Sequence, residues 1–482
     1  MSQSSTLSPA PAAGNRSTIG SGGAPLLVIG AGPKAVALAV KSSVLRAVGF
    51  DVPEVVAVER DRTAANWLAG RGWTNGRQRL GTLPEKDLGF PYDRTAWGDP
   101  RDPVTGEIAR RMAGFSWASH LLDRGLYARW IDRSRPQPSH REWADYLQWA
   151  AERAGLRTVA GEVRAAELLD GGWTLTVDDG AADLTVRGRG LLVSGPGPAA
   201  GVLPADGTRV LDTAGFWKLA VEGFPEWAQT VVVVGAGETA GTIVRELALG
   251  QDRKVTVVAP RATLYSRGES PFENRYYSDP TGWAGLSEAD RQEFIRRTDR
   301  AVFSQEIQSD LALTTNVSWE PGRVIGTRPA DDADDADNKV AVEIAYGGQH
   351  RTHRADLVVD ATGGDPLWFT RLLGPRAEDA LWAALGGSLT RERVERSIDA
   401  SLAVAGLPAP LHLPNLAALA QGPGFPNLSS LGLLSDRVLA RYAPGVRTDD
   451  TAAAEDRPGH RTAERITASG LNHMDTWGAV QR

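Results

Sequence analysis

The clearest pattern in this chain is an apolar run that enters a glycine turn and is followed by a helical segment. Residues 26–30 form the first such run, and residues 33–40 then have the composition of a helix. A second apolar run, residues 55–58, ends at Glu59. The order of strand, glycine turn, helix, strand and terminal acid predicts a βαβ unit of the dinucleotide-binding type.

The same order recurs much later in the chain. Residues 231–234 are a β-branched run that leads into a second glycine turn, a helix is predicted through Leu247, and residues 255–259 form the next strand. Two such units predict two nucleotide sites. Residues 191–194 and 357–362 are further apolar runs that precede a glycine. We interpret both as strands with which the chain returns to the first unit.

Length and composition place the chain among ordinary globular proteins. Its 482 residues indicate two or three subdomains rather than one core. With 42% hydrophobic and 23% charged residues, it has no apolar run long enough to span a bilayer. The net charge of -6 favours neither nucleic acid nor an anionic membrane as a partner. No metal is predicted, because cysteine is absent and His120 and His140 show no ligand spacing.

Three segments have the composition of solvated chain. Residues 1–22 are rich in Ser, Ala, Gly and Pro and lack the apolar centre of a secretory signal, so we expect a disordered tail and a cytoplasmic protein. Residues 443–482 are polar and charged, which predicts a flexible C-terminal tail. The acidic run 331–337 precedes an alternating strand at residues 340–344 and is predicted to be a hairpin loop.

The first glycine turn, Gly30-x-Gly32-x-x-Ala35, has the spacing that brings a backbone close to a pyrophosphate. Gly30 permits the tight turn and Gly32 the close approach, while Pro33 opens a helix whose free N–H groups attract phosphate. Glu59 is placed to accept hydrogen bonds from ribose hydroxyls. The alternative is a structural turn without a ligand.

The second turn differs at the position of the acid. It contains Gly235, Gly237, Glu238 and Thr239, but the strand after its helix ends in Ala-Pro-Arg261. An arginine there can pair with a 2′-phosphate, which favours NADPH over NADH. The alternative is that Arg261 is an exposed surface residue. An acid-terminated site followed by an arginine-terminated site suggests FAD first and NADPH second.

We therefore predict an α/β fold with two Rossmann-like dinucleotide-binding domains and a small substrate-binding region at their junction. The FAD domain is predicted to comprise residues 23–205 and 355–442, and the NADPH domain residues 206–354. No catalytic side chain is predicted, because the flavin itself performs the redox chemistry in such enzymes.

Several longer strings are unlike generic nucleotide-binding sequence. The longest are Thr263-Leu264-Tyr265-Ser266-Arg267-Gly268-Glu269 and Gln421-Gly422-Pro423-Gly424-Phe425-Pro426-Asn427-Leu428-Ser429, and shorter ones lie at residues 66–67, 73–74, 80–82, 84–87, 89–92, 139–141, 146–147 and 432–437. These residues resemble the mycobactin-type lysine N-monooxygenases, which belong to the flavin-dependent N-hydroxylating monooxygenases of lysine and ornithine. The resemblance extends from about Leu26 to about Arg437.

This resemblance implies a reaction and its partners. NADPH would reduce FAD, dioxygen would add to the reduced flavin, and the neutral substrate amine would attack the flavin hydroperoxide. The hydroxylamine product would feed a hydroxamate siderophore or a related N-hydroxylated natural product. A homo-oligomer, as in relatives, is left open.

The resemblance also implies roles for individual residues. Lys86 would pair with the substrate α-carboxylate, Asn274 would hold the backbone end of the substrate, and Ser429 would be a polar contact near it, with Ser430 as the alternative alignment. Without the resemblance, Lys86 would be a surface lysine and Asn274 a turn residue. Asp299 stands where relatives often have asparagine, so its role is open.

Four further residues are candidates for the cofactor sites. Trp67 and Trp73 would either line the flavin or belong to the core. Glu238 stands where ornithine enzymes have glutamine beside the nicotinamide and flavin. Arg141 would be a contact for NADPH.

Two related classes of flavoprotein fit less well. A disulfide reductase needs a cysteine pair, which the chain lacks. A Baeyer–Villiger monooxygenase needs a histidine motif before the second glycine turn, where Phe216-Trp217-Lys218 lies without it. We predict N6-hydroxylation of L-lysine or a lysine derivative, with an ornithine N5-hydroxylase, an uncoupled NADPH oxidase or a non-catalytic flavoprotein as alternatives.

Overall fold

The computed structural model describes residues 23–92, 97, 103–250, 252–330 and 339–443. The predicted tails 1–22 and 443–482, apart from Ala443, and the predicted acidic loop 331–337 lie outside the described residues. In chain order the strands are β1 (Leu26–Ile29), β2 (Val55–Glu59), β3 (Arg157–Ala160), β4 (Glu162–Leu169), β5 (Gly172–Asp178), β6 (Asp183–Gly188), β7 (Gly190–Val193), β8 (Val210–Asp212), β9 (Thr230–Val234), β10 (Lys254–Ala259), β11 (Val317–Pro321), β12 (Arg323–Pro329), β13 (Val340–Tyr346), β14 (Gln349–Ala355), β15 (Leu357–Asp360) and β16 (Leu411–His412).

The α-helices lie singly or in groups between these strands. They are α1 (Pro33–Ala47), α2 (Val104–Ala113), α3 (Trp117–Asp123), α4 (Tyr127–Asp132), α5 (His140–Ala154), α6 (Thr213–Glu222), α7 (Glu238–Ala248), α8 (Pro271–Ser278), α9 (Glu288–Thr298), α10 (Gln305–Leu311), α11 (Pro375–Ala384), α12 (Arg391–Ser397), α13 (Ala418–Gln421) and α14 (Leu431–Ala440). Short 3-10 helices lie at Ala65–Trp67, Trp283–Gly285, Trp368–Leu372 and Pro414–Leu416.

The first parallel sheet has the strand order β16-β7-β1-β2-β3. Strand β1 pairs in parallel with β2 on one side and β7 on the other, which confirms the predicted first βαβ unit and the predicted strand near residue 191. Helix α1 is buried along most of its length, because it packs against the sheet and also against α14 and α5. A helix in the middle of a domain is apolar around much of its circumference, as the run from Ala35 to Val40 is.

The second parallel sheet has the order β11-β10-β9-β15-β8. Helix α7 connects β9 to β10 and packs on both strands, which confirms the predicted second βαβ unit. One face of this sheet is covered by apolar side chains of α6, α7 and α10, including Phe216, Ile243 and Ile307. The other face packs on Val342 and Ile344 of β13.

Strand β15 corrects one predicted boundary. Residues from 355 onward were expected to return to the first domain, but β15 pairs in parallel with β9 and β8 of the second sheet. Two acids fix this position: Asp356 accepts hydrogen bonds of 2.7 Å from the amide and hydroxyl of Thr230, and Asp360 accepts one of 2.7 Å from the Leu203 amide. The chain rejoins the first sheet later, where β16 pairs with β7.

Two antiparallel sheets were not predicted as units. One has the order β4-β5-β6 and the other β12-β13-β14. Strand β13 confirms the alternating strand expected at residues 340–344, and β12 pairs with it as the other half of a hairpin.

Candidate active site

The first glycine turn has an open cradle at the start of α1. Gly30 adopts φ +90, and a Cβ placed there would lie 3.0 Å from the Ser194 hydroxyl oxygen. Gly32 is the N-cap of α1 with extended backbone, and a Cβ there would meet nothing within 4 Å. Pro33 is the first residue of the helix. The turn therefore leaves space above the N-terminal N–H groups of α1, as a pyrophosphate requires.

Glu59 closes the side of this cradle. It is the last residue of β2, and its Oε2 accepts a hydrogen bond of 2.9 Å from the Ala31 amide inside the turn. Its Oε1 accepts one of 3.1 Å from the Asp61 amide. The carboxylate therefore lies at the mouth of the turn, where the sequence places a contact for ribose.

The second glycine turn repeats this arrangement. Gly235 adopts φ +131, and a Cβ there would lie 2.7 Å from the Ala361 carbonyl oxygen, so only glycine fits. Gly237 is the N-cap of α7, and a Cβ there would meet nothing within 4 Å. Glu238 and Thr239 are the first residues of the helix. Arg261 lies just beyond the carboxyl end of β10, half-buried, with its amide bonded to the Ala259 carbonyl.

The Glu238 side chain marks the junction between the two units. Its Oε2 lies 3.1 Å from an Arg267 nitrogen and accepts a hydrogen bond of 2.8 Å from the Ser304 amide. Its Oε1 would lie 3.7 Å from a Cβ placed on Gly81, which belongs to the loop after the first unit's 3-10 helix. The same Arg267 lies 3.8 Å from a carboxylate oxygen of Glu269.

Lys86 and Asn274 both interact with Glu269, one through charge and the other through a hydrogen bond. Burial lowers the pKa of Lys86, while the nearby Glu269 carboxylate raises it. The Asn274 side-chain amide donates a hydrogen bond of 2.8 Å to the Glu269 backbone carbonyl. Asp87 is buried, and Tyr92 donates to it at 2.6 Å. Lys86 itself is half-buried, with its ammonium 5.9 Å from the centre of the Phe90 ring.

The segment that carries Ser429 is attached to the helix of Asn274. Ser430 is buried and its hydroxyl donates to the backbone carbonyl of Tyr277, which lies one turn after Asn274 in α8. The Ser429 amide donates a hydrogen bond of 2.9 Å to the Asn427 side chain. Because Ser430 is engaged by the backbone, Ser429 is the better candidate for a substrate contact.

Comparison with known proteins places the chain in a family. Residues 107–366 match the model of the family described as L-lysine 6-monooxygenase/L-ornithine 5-monooxygenase. The chain is 42% identical over 437 residues to "L-lysine N6-monooxygenase MbtG" of Mycobacterium tuberculosis, covering 89% of this chain and 98% of that protein. The corresponding protein of Mycolicibacterium paratuberculosis is 44% identical over 419 residues, 86% of this chain and 94% of its own length.

The chain belongs to the L-lysine 6-monooxygenase/L-ornithine 5-monooxygenase family. Among solved structures, lysine monooxygenase NbtG from Nocardia farcinica is similar with a TM-score of 0.74 and 46% identity, covering 86% of this chain and 100% of that chain. The ornithine N-hydroxylase KtzI from Kutzneria sp. 744, with a TM-score of 0.68 and 20% identity over 87% of this chain and 98% of its own, shares the fold.

Within this lysine/ornithine monooxygenase fold, the other predicted residues lie at varying distances from the junction. Asp299 follows α9 and raises the pKa of Tyr277, whose burial is the larger cause, so this acid lies beside the Asn274 helix. Trp67 packs in the first core with its ring 4.7 Å from that of His140. Trp73 packs instead against the core of the second unit. Arg141 is exposed, and its amide is bonded to the Gly76 carbonyl.

Two residues of the site were missed by the sequence analysis. Lys34 is buried in the first turn of α1, where it donates hydrogen bonds of 2.8 Å to the Asn415 side chain and to the Pro426 carbonyl. The signal was a charged residue inside a glycine motif, followed directly by the apolar residues 35–40. Arg267 was noted only as part of a family string, since its partner Glu238 is distant in sequence.

One further cleft is lined mainly by side chains from residues 117–145. Its volume is about 590 Å³, and it opens between α3, α4 and the start of α5 with an arginine-rich rim formed by Arg77, Arg79, Arg124, Arg129 and Arg133. All five arginines are exposed, and Arg77 is paired with the Glu246 carboxylate at 2.9 Å. We assign this cleft no ligand.

Two features are absent from the described part of the chain. No group of three or more His, Cys, Asp or Glu side chains there is arranged to hold a metal ion. No helix in that part is both long and apolar enough to cross a membrane.

Proposed function

We propose that this chain is an L-lysine N6-monooxygenase that uses FAD, NADPH and dioxygen. The observation that carries the proposal is the cluster of Lys86, Glu269 and Asn274 at the junction of two open glycine turns. Relatives of more than 40% identity that are named L-lysine N6-monooxygenase support the choice of lysine.

The two turns fit the two cofactors by their shape and charge. Gly30, Gly32, Pro33 and Glu59 would hold the pyrophosphate and ribose of FAD, with Trp67 packed nearby in the same unit. FAD supplies the redox chemistry with NADPH and dioxygen when it is bound. The protein's part is to bind, orient and exclude water.

The second turn fits NADPH. Gly235 and Gly237 would admit its pyrophosphate at the start of α7, beside Glu238 and Thr239. Arg261 would pair with the 2′-phosphate, because no acid follows β10. Both glycine turns present their open side at the carboxyl end of a parallel sheet, where ligands of this fold bind.

The substrate's far end would be held by charge and hydrogen bonding. The Lys86 ammonium would pair with the α-carboxylate, Asn274 would contact the backbone end, and Ser429 would add a polar contact. Holding that end turns attack by the side-chain amine into a positioned, nearly unimolecular event. The amine reacts in its neutral form, which is scarce in water because its unperturbed pKa is about 10.4, so a desolvated site is needed.

The wider context rests on the family. A hydroxylamine product suits acylation to a hydroxamate, so we place the reaction in siderophore or related natural-product biosynthesis, in the cytoplasm. Residues 23–205 and the chain beyond β15 would form the FAD domain, and the second sheet with its helices the NADPH domain. A lysine derivative is the alternative substrate within this proposal.

The test is the amount of hydroxylamine formed per NADPH consumed by FAD-loaded protein, with L-lysine and L-ornithine in parallel. We expect coupled product from lysine and little from ornithine, although one methylene changes binding by only about 1–3 kcal/mol. Coupled product from ornithine alone would contradict the choice of substrate. NADPH oxidation that yields only hydrogen peroxide with both amines would contradict hydroxylation of a free amino acid.

A further inference from the structure

The acid at the start of α7 presents an electrostatic problem. Glu238 is the first residue of the helix whose N-terminal N–H groups would face the NADPH pyrophosphate. The first intrahelical bond runs from the Gly241 amide to the Gly237 carbonyl, so the preceding amides are available to an anion. A carboxylate at this point would repel the phosphates unless it were turned away and neutralised.

Arg267 provides that neutralisation. Its guanidinium lies 3.1 Å from Glu238 Oε2, and its side chain is only 23% exposed, so the ion pair is partly shielded from water. The Ser304 amide donates to the same carboxylate oxygen at 2.8 Å. Glu238 Oε2 therefore binds groups of other segments and not the amides of its own helix.

The backbone around Arg267 is fixed, so the arginine is held in place. The Arg267 amide donates to the Phe303 carbonyl at 2.7 Å, and the Phe303 amide donates to the Tyr265 carbonyl at 2.9 Å. Ser304, which binds Glu238, follows Phe303 directly. One pair of bridged segments thus supplies both groups that hold Glu238.

On its other side Arg267 faces the substrate cluster. Its Nε lies 3.8 Å from a Glu269 carboxylate oxygen, and Glu269 in turn acts on the charge of Lys86. Charges of alternating sign therefore run from the NADPH turn to the predicted substrate anchor, in the order Glu238, Arg267, Glu269 and Lys86. Arg267 is shared between the two sites.

We propose that Arg267 is a positioning residue for NADPH: it holds the Glu238 carboxylate away from the pyrophosphate and cancels its charge. This inference rests on the proposed function, since it assumes that the second turn binds NADPH. Its consequence is specific, because removal of Arg267 harms nucleotide binding only as long as residue 238 carries a negative charge.

The experiment measures the dissociation constant of NADP⁺ for FAD-loaded protein by titration calorimetry, in Arg267→Met, Glu238→Gln and the double variant. We expect Arg267→Met to weaken NADP⁺ binding about tenfold, the scale of one partly buried charge interaction. Glu238→Gln alone should leave binding at least as tight as in the unaltered protein. The dissociation constant of the double variant should lie within about threefold of that of the unaltered protein, because no carboxylate is left to neutralise.

The controls separate this role from a structural one. Arg296→Met removes an exposed arginine that pairs with Glu293 in the same unit and should change nothing. Arg267→Lys keeps the charge and should retain most of the affinity. FAD content and melting temperature show whether each variant is folded.

Three outcomes would overturn the inference. An Arg267→Met variant that binds NADP⁺ normally would show that Glu238 needs no neutralisation. A double variant as weak as Arg267→Met would show that Arg267 contacts the nucleotide or only supports the fold. If the unaltered, FAD-loaded protein binds no NADP⁺, the proposed function fails first and the inference fails with it.

Discussion

The Lys34 ammonium donates a hydrogen bond of 2.8 Å to the side-chain oxygen of Asn415, although 381 residues separate them. The Asn415 amide in turn donates to the Gly195 carbonyl at 2.8 Å, and Lys34 also donates to the Pro426 carbonyl. The first glycine turn, the end of β7 and the segment that leads to Ser429 are therefore joined through one buried lysine. Movement of any of the three would disturb the others.

This burial makes the stability contribution of Lys34 depend on pH. Desolvation lowers its pKa from 10.5 to about 8, so between these two values the folded protein binds fewer protons at this site than the unfolded chain. Stability from this residue therefore rises with pH across that window. The Lys34→Met variant should lack this rise. Between about pH 7.5 and about pH 9.5, the free energy of unfolding of the unaltered protein should increase by about 2 kcal/mol relative to that of the variant.

Urea unfolding at the two pH values measures this difference. Lys218→Met removes an exposed lysine of α6 and should give a stability curve parallel to that of the unaltered protein. If the stability curve of Lys34→Met is also parallel to that of the unaltered protein, the buried amine does not titrate in this window.

His140 gives a pH dependence of the same sign as Lys34, in a lower pH window. Burial lowers its pKa to about 4, and its Nδ1 lies 2.9 Å from the Thr74 hydroxyl, which ties α5 to the loop before Gly81. An unfolded histidine titrates near 6.5, so this residue's contribution is lost as pH falls from there toward 4. When the pH is lowered from about 7 to about 5, the free energy of unfolding of the unaltered protein should fall by about 2 kcal/mol more than that of the His140→Asn variant.

The measurement is again urea unfolding, with His350→Asn as the matched control because His350 is exposed in β14. The control should lose the same stability as the unaltered protein. Equal acid sensitivity in His140→Asn would mean that His140 is not held neutral by the fold.

Sequence patterns predicted the two βαβ units because local order is enough for them: an apolar run, a glycine turn and a helix specify β1 and α1 without information from elsewhere. The same patterns misplaced β15, since a short and mostly apolar strand can pair with either parallel sheet. The choice depends on Asp356 and its bonds to Thr230, 126 residues away. A short strand carries no local signal of that partner.

The candidate site likewise combines residues that the sequence identified with residues whose roles depend on distant partners. Lys86 and Asn274 were named from family strings, and the structure links both to Glu269, which had no predicted role. Arg267 and Lys34 gained roles only from partners that are distant in the chain. Charged residues of this kind are ambiguous in a sequence, because a solvated lysine or arginine and a buried, paired one look alike.

Lys86 should be required for binding of the amino acid and not for binding of the flavin. Replacing it with alanine removes the charge proposed to pair with the α-carboxylate, so the KM for lysine should rise about 30-fold or more, the scale of one charge-assisted hydrogen bond. FAD content should stay unchanged. Steady-state kinetics with Lys218→Ala, an exposed lysine, gives the control, and an unchanged KM in Lys86→Ala would remove Lys86 from the site.

Arg261 should distinguish NADPH from NADH. It lies beyond the carboxyl end of β10. Its replacement by alanine should lower kcat/KM for NADPH by about 10- to 100-fold and change kcat/KM for NADH little. The ratio of kcat/KM for the two nucleotides measures this. Lys254→Ala, at the opposite end of the same strand, should leave the ratio unchanged. Equal losses for both nucleotides in Arg261→Ala would contradict a contact with the 2′-phosphate.

A buried ion pair joins α1 to α14, and breaking it from one side should destabilise the first unit. The Lys41 ammonium lies 2.7 Å from Asp436 Oδ1, and both side chains are almost fully buried. The same oxygen accepts a hydrogen bond of 2.8 Å from the Trp97 indole. Asp436→Asn keeps an acceptor for Trp97 and removes only the charge, so it leaves a buried ammonium without its counter-charge.

We expect Asp436→Asn to lower the free energy of unfolding by about 3–5 kcal/mol, which is the usual cost of breaking a buried pair from one side. Lys41→Met combined with Asp436→Asn removes both charges, and the double variant should be more stable than Asp436→Asn alone. Thermal unfolding of the three proteins measures this, with Glu293→Gln, which breaks an exposed pair with Arg296, expected to cause no measurable change. A double variant less stable than the single one would mean that Lys41 contributes through packing and not through charge.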